Sequence, residues 1–141
     1  MKKFILILAI CALAAPAFAQ PATNNAKSQF MFIIRFKADF QPPSDEAVKA
    51  NIKKWQDYMG DLGKSGDLIA GFRPASGGLT ISGTDKKLKN DPEVADGMLI
   101  SSVMIVKAVS LDAAKEIANK CPVFEFGGSI EVRPVMNTAG Q

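Results

Sequence analysis

The residues best suited to chemistry lie near the end of the chain, where Glu131 and Arg133 stand two positions apart. Side chains alternate along a β-strand, so a strand here places both on one face and turns Val132 to the other. Arg35 takes the matching polar position in the strand-like run 29–37. A carboxylate between two guanidiniums in apolar surroundings stays ionised. It could anchor a small polar or anionic ligand, or it could close a salt-bridge network across an interface.

Three further residues extend this ligand-binding set. A later strand offers the hydroxyl of Ser101 or Ser102, and Arg73 follows the first helix closely enough to reach the mouth of a pocket. The chain contains no histidine, so acid–base work would fall on other side chains. Scattered carboxylates without histidine predict no metal site, and no phosphate or dinucleotide motif predicts a cofactor.

Two helices with capping signals position these residues. Ser44 precedes Asp45 and Glu46, and the apolar positions that follow recur at spacings of three and four, ending at Gly63. They are Val48, Ile52, Trp55, Met59 and Leu62. Ser110 begins a second amphipathic helix, with an inner face of Leu111, Ala114, Ile117, Ala118 and Cys121. Each helix is flanked by runs with strand character.

The strands are predicted at 29–37, 79–82, 98–107 and 130–135, with a charged, turn-rich loop over 83–96. The order β-α-β-β-α-β predicts a ferredoxin-like α+β fold, a four-stranded antiparallel sheet with two helices. Right-handed crossovers place both helices on one face. Met31 and Ile33 then lie on the other face, which nothing in the chain covers. We therefore expect a homodimer packed sheet to sheet, a dimeric α+β barrel.

The N-terminus has the pattern of a secretory signal peptide. Lys2 and Lys3 precede an apolar run, and Ala17-Phe18-Ala19 forms the cleavage site. We expect cleavage after Ala19 and a secreted or periplasmic protein with no membrane contact after cleavage. The predicted organisation is a signal peptide at 1–19, a disordered leader at 20–28, one domain at 29–136 and a flexible tail at 137–141.

Composition excludes several partners. Loss of Lys2 and Lys3 lowers the formal net charge from +3 to +1, and no basic or aromatic run predicts nucleic-acid binding. Of the two cysteines, only Cys121 would remain after cleavage. One thiol cannot form an internal disulfide, so the domain must be stabilised by its packed core. Cys121 is expected to be a buried apolar residue.

With these elements placed, the chain resembles the YCII-related family, which includes the DGPF-domain proteins. The resemblance covers about Phe30 to Met136. It depends on the segments 110–114, 120–122, 127–128 and 131–135, and on Gly66 to Gly71 followed by Pro74. It implies the fold, the dimer and a pocket on the barrel side of the sheet.

The chain also departs from the family pattern. The Asp-Gly-Pro-Phe segment should fall near Asp91-Pro92 or Asp96-Gly97, and neither keeps all four residues. The His-Asp pair of proposed family enzymes has no histidine here. By this resemblance Asp91 and Asp96 are the candidate catalytic residues, although either could simply form a turn.

Three hypotheses therefore stay open at this point. The first is an exported homodimer that binds a small molecule. The second is a lyase or isomerase acting on a small metabolite through Asp91 or Asp96 with Arg73 or Arg133. The third is an interaction module without a ligand.

Overall fold

The computed structural model describes residues 26–136 of the 141-residue chain. The predicted signal peptide, most of the predicted leader and the predicted tail lie outside these residues. The helices are α1 (Asp45–Lys64) and α2 (Leu111–Asn119), with a 3₁₀ helix at Pro122–Phe126. The strands are β1 (Ser28–Lys37), β2 (Leu68–Phe72), β3 (Thr80–Ser82), β4 (Lys87–Lys89), β5 (Val94–Ala95), β6 (Met98–Ala108) and β7 (Ser129–Pro134).

Both helices begin where their capping serines predict. The Ser44 hydroxyl accepts a hydrogen bond from the Ala47 N–H at 3.1 Å, and Ser110 accepts one from Ala113 at 3.1 Å. Each cap satisfies one of the N–H groups that a helix start leaves without a partner. The capping predictions are confirmed.

The main sheet is antiparallel, with the order β2-β6-β1-β7 and the short β5 continuing the outer edge of β6. The mixed α+β fold with two helices is thus confirmed. The predicted loop at 83–96 contains more structure than expected. The strand predicted at 79–82 is not part of the main sheet: β3 pairs with β4 in a separate hairpin, and β2, which was not predicted, takes its place because it pairs with β6. The short β5 adds a fifth strand to the sheet.

One face of the sheet packs against both helices. Phe30, Phe32 and Ile34 of β1 alternate inward and join Met104 and Val106 of β6, all buried. The helices complete this core with Tyr58, Leu62, Ala114 and Ala118. Cys121 and Val123 close the core beneath the 3₁₀ helix.

We call the opposite side of the sheet the open face. Its apolar residues are Met31 and Ile33 of β1, opposite Ile105 and Val103 of β6, all half-buried. No described element covers it, since both helices lie on the other side.

The buried stripe of α1 differs from the predicted one. Ile52 was expected to face the core, yet 51% of its surface is exposed. Leu62 is buried as predicted, and Trp55 and Met59 pack against the core, but Asn51 and Tyr58 are buried as well. The stripe is rotated because both polar residues find partners inside: the Tyr58 hydroxyl donates to Ile117 O at 3.2 Å, and the Asn51 amide bonds to the 3₁₀ helix. On α2, Leu111 is likewise exposed, not inward-facing.

Strand β1 also begins one residue earlier than expected. Ser28 pairs with Ala108, and the Lys27 ammonium forms an ion pair with the Asp67 carboxylate. The hydrogen bond from Lys27 holds the pKa of Asp67 below its usual range. Residues 27 and 28, predicted to belong to the leader, therefore contact the domain.

Within residues 26–136, no helix has the length and apolar character needed to cross a membrane.

Candidate functional site

The predicted ligand-binding residues do not all lie on one face of the sheet, and a β-bulge interrupts the pairing of β1 with β6 beside them. Ile34 pairs with Ser102, but Arg35 pairs with Ile100, which leaves Ser101 without a partner in the ladder. The extra residue shifts the alternation of β6 relative to β1. Ser102 lies before this shift and shares the helix-covered face with Ile34, in regular alternation with Met104 and Val106. The Ser101 hydroxyl donates to Ile34 O at 3.2 Å.

The three charged residues of the predicted cluster do lie together, on the open face. Arg35 Nη1 lies 2.9 Å from Glu131 Oε2, and Arg133 Nη1 lies 3.6 Å from Glu131 Oε1. Among the described residues no serine joins them: Ser102 lies on the helix-covered face, and the bulge removes Ser101 from the position opposite Arg35. Each of these two ion pairs is partly exposed to solvent, so each contributes at most about 1 kcal/mol to the free energy of unfolding. Enclosure of the cluster in a barrel-side pocket needs a second copy and stays a prediction.

Asp91 and Asp96 lie in exposed turns. Asp96 and Gly97 have φ values of 53° and 73° and form the two-residue turn between β5 and β6. This is the geometry of a type I′ hairpin turn, which favours Asp-Gly. The backbone oxygen of Asp91 accepts a hydrogen bond from Thr80 Oγ1 at 2.8 Å.

A cleft of about 770 Å³ lies between α1 and the sheet, on the helix-covered side. Three of the predicted residues line it, namely Arg73, Ser101 and Ser102. Its wall includes seven aromatic or thioether side chains: Phe36, Phe40, Trp55, Met59, Phe72, Met104 and Phe126. Cavities of this size with apolar walls and a few polar groups are typical of small-molecule sites.

Three phenylalanines form one side of the cleft. The ring centroids of Phe36 and Phe40 lie 5.4 Å apart, and those of Phe40 and Phe126 also lie 5.4 Å apart. These are favourable distances for offset aromatic pairs. The series joins the end of β1 to the 3₁₀ helix, so this wall depends on where the 3₁₀ helix sits.

The charge at the cleft is positive. Lys37 and Arg73 line its rim, both exposed, and no Asp or Glu is among its lining residues in the described part of the chain. Neither cation forms an ion pair with another residue of 26–136. The rim therefore favours an anionic group, and the Arg73 guanidinium can bind a carboxylate through two hydrogen bonds.

Sequence reasoning missed Asn51, which is 6% exposed and the one buried polar residue among residues 26–136. Its Nδ2 donates to Pro122 O and to Glu125 Oε2, both at 3.0 Å. Asn51 stands three positions after Val48 and four before Trp55, on the inner side of α1. An asparagine among the inward-facing positions of a helix could have been recognised in the sequence, because a buried polar side chain needs a hydrogen-bond partner.

A second cavity, the groove, lies on the other side of the 3₁₀ helix and has a volume of about 690 Å³. Its lining carries four carboxylates and two lysines, namely Asp57, Asp61, Asp67, Glu125, Lys54 and Lys120. Hydrogen bonds from Lys54 and then Asn51 hold the pKa of Glu125 below its usual range. We take the cleft as the candidate site, because it has more aromatic side chains than the groove and, among the described residues, no carboxylate in its lining that would repel an anion.

Cys121 shows how burial affects a titrating group beside the groove. Burial raises the pKa of its thiol from 9.0 to about 11, and burial also raises the pKa of Tyr58. The Cys121 contribution to stability is therefore complete below about pH 9, where the unfolded thiol is also neutral. It is lost as the pH rises through about 11, because the unfolded chain releases a proton that the folded chain retains.

We expect the free energy of unfolding to fall by about 3 kcal/mol across this pH range through Cys121. Urea unfolding of the protein beginning at Gln20, measured at several pH values in that interval, checks this. Cys121→Ala removes the thiol and should give a shallower decline, to which Tyr58 still contributes. Identical slopes in both proteins would contradict the assignment.

A model of the YCII-related domain family matches residues 28–139. The chain belongs to this family. The match begins at the first residue of β1 and includes every described strand and helix of the YCII-related domain.

Among solved structures, the chain is similar to 5-chloro-2-hydroxyhydroquinone dehydrochlorinase (TftG) from Burkholderia phenoliruptrix AC1100, in complex with 2,5-dihydroxybenzoquinone. The two share 21% identity, and the match covers 77% of this chain and 96% of that chain with a TM-score of 0.46. No curated protein matches the chain.

Proposed function

We propose that this YCII-related protein is an exported homodimer that binds a small anionic molecule in the cleft between α1 and the sheet. One observation carries the ligand proposal: an aromatic-walled cleft has two cations at its rim and, within residues 26–136, no carboxylate in its lining. The apolar wall would receive a ring-sized body. Arg73 and Lys37 would bind the anionic group.

Binding is favoured over acid–base catalysis by the composition of the lining. In the described part of the chain the cleft is lined by no Asp, Glu, Cys or Tyr, and the sequence contains no histidine. A serine nucleophile needs a neighbouring base, which neither Ser101 nor Ser102 has there. The lyase or isomerase hypothesis relied on Asp91 or Asp96, and neither lines the cleft.

The homodimer is supported by the open face. Met31, Ile33, Val103 and Ile105 form a continuous apolar strip on neighbouring strands, without cover from either helix. The strand order β2-β6-β1-β7, in which β1 and β6 are central, supports a ferredoxin-like sheet. Such a sheet could pair face to face with that of a second copy. A second copy would shield the strip and enclose Arg35 and Glu131. Export is supported by the signal-peptide pattern of residues 1–19.

Arg73→Ala tests the cleft, with anilinonaphthalene sulfonate, a fluorescent aromatic anion, as the probe. We expect its affinity to fall by about tenfold or more, since a hydrogen-bonded charge contributes about 1.5–3 kcal/mol. Fluorescence titration of the folded protein measures this.

Arg133→Ala is the matched control, because it removes an arginine from the open face and leaves the cleft intact. Its probe affinity should equal that of the parent protein. If Arg133→Ala loses binding while Arg73→Ala retains it, the ligand binds on the barrel side of the sheet and the cleft proposal is wrong.

A further inference from the structure

The orientation of the Asn51 amide is determined by its neighbours. Pro122 O is a carbonyl oxygen and Glu125 Oε2 is a carboxylate oxygen, so both can only accept hydrogen bonds. The group facing them must be the NH₂ of Asn51, and both of its N–H bonds are occupied. Rotation of the amide by 180° would bring its oxygen against two other oxygens. Oδ1 therefore points away from the 3₁₀ helix.

Asn51 Oδ1 accepts no hydrogen bond from any residue in 26–136. Yet no side-chain oxygen or nitrogen in that part of the chain is both fully buried and without a partner. The oxygen of this 94%-buried residue thus keeps some accessible surface, and Asn51 lines the cleft but not the groove. The cleft contains a fixed hydrogen-bond acceptor.

Lys54 strengthens this arrangement from outside the cleft. Its ammonium forms an ion pair with Glu125 Oε1, while Glu125 Oε2 accepts from Asn51. The carboxylate is therefore held from two sides and stays in place as the Asn51 partner. The same 3₁₀ helix supplies Phe126 to the cleft wall. One set of contacts thus orients both the polar and the aromatic group of the cleft.

We propose that Asn51 determines ligand specificity by accepting a hydrogen bond from an O–H or N–H group of the ligand. The ligand class is a compact hydroxy- or amino-substituted organic anion whose acidic group binds Arg73 and Lys37. This inference depends on the proposed function and makes it more specific. A ligand without a donor leaves this acceptor unpaired, so such ligands bind more weakly, by about five- to tenfold.

The test compares three probes that differ in one substituent, each displacing anilinonaphthalene sulfonate. They are benzoate, para-hydroxybenzoate and para-methoxybenzoate. We expect para-hydroxybenzoate to bind the parent protein about five- to tenfold more tightly than para-methoxybenzoate, which keeps the oxygen but lacks the proton. This comparison needs no variant. Equal affinities of the two would overturn the proposal.

Asn51→Leu should abolish the preference for para-hydroxybenzoate, so that the variant binds both substituted benzoates with equal affinity. Gln56→Leu is the matched control: it removes an exposed amide of the same helix from the cleft lining and should leave the preference intact. If Asn51→Leu fails to fold, Glu125→Ala replaces it. That variant frees one Asn51 N–H and should reduce the preference. A preference that persists unchanged in the folded variant would assign the hydrogen bond to another residue.

The failure of this inference is distinguishable from failure of the proposed function. If no benzoate displaces the fluorescent anion and Arg73→Ala binds it normally, the anion cleft itself is wrong. If benzoate binds and depends on Arg73 but the hydroxyl has no effect, only the role of Asn51 is wrong.

Discussion

Gly128→Ala is expected to lower the free energy of unfolding by about 3 kcal/mol, near the upper end for overpacked sites. A Cβ at this position would lie 2.3 Å from Val123 Cγ2 and 2.8 Å from the backbone oxygen of Arg35. Val123 is fully buried and the second contact is backbone, so neither can move away cheaply. Chemical denaturation followed by circular dichroism measures the loss.

Gly60→Ala is the control for this substitution. A Cβ at Gly60 would meet nothing within 4 Å, and the residue lies inside α1. Alanine there should raise stability by up to about 1 kcal/mol, because glycine is a poor helix former. If both variants change stability equally, the close approach at Gly128 has no energetic meaning. Because Gly128 follows the 3₁₀ helix, any folded Gly128→Ala protein should also bind anilinonaphthalene sulfonate less well.

Ile33→Lys is expected to convert the proposed homodimer into a monomer. Ile33 lies on β1, a central strand of the sheet, with Val103 and Glu131 as its cross-strand neighbours. In a sheet-to-sheet dimer each copy would bury a third cation beside Glu131, a carboxylate that Arg35 and Arg133 already pair with. A cost of several kcal/mol corresponds to a dissociation constant raised at least about a hundredfold. Sedimentation equilibrium at micromolar concentration measures it.

Ile52→Lys supplies the matched comparison for the dimer. It introduces the same charge at an exposed isoleucine, but on α1, on the other side of the molecule. The dimer should persist in this variant. A parent protein that is already monomeric at micromolar concentration contradicts the dimer proposal, and dissociation by Ile52→Lys would move the interface to the helical side.

Local signals were enough to predict most of the elements. Ser44 and Ser110 cap helices because a side-chain oxygen three residues before a free N–H satisfies it without help from the rest of the fold. The alternation of Phe30, Phe32 and Ile34 predicted which face of β1 is buried, because strand geometry has a period of two. The charged trio on the open face followed from the same alternation.

The site itself depended on features that periodicity does not encode. The bulge removed Ser101 from the ladder position opposite Arg35, where an unbroken register would have placed it. An inserted residue in a ladder reflects the pairing of two distant strands, which neither strand shows alone. Asn51 was overlooked because its partners, Pro122 and Glu125, lie more than 70 positions away along the chain.

The sequence by itself determined both helices with their caps, the three long strands β1, β6 and β7, and the two unequal sides of the sheet, since each depends on residues within a few positions of one another. It did not determine β2, whose place in the sheet depends on pairing with the distant β6. Only the tertiary structure decided that a cleft opens beneath α1, that Arg73 reaches its rim and that Asn51 is held with its oxygen free. These features arise where α1, β6 and the 3₁₀ helix meet. Packing and hydrogen bonding between distant segments, not local propensity, determine such junctions.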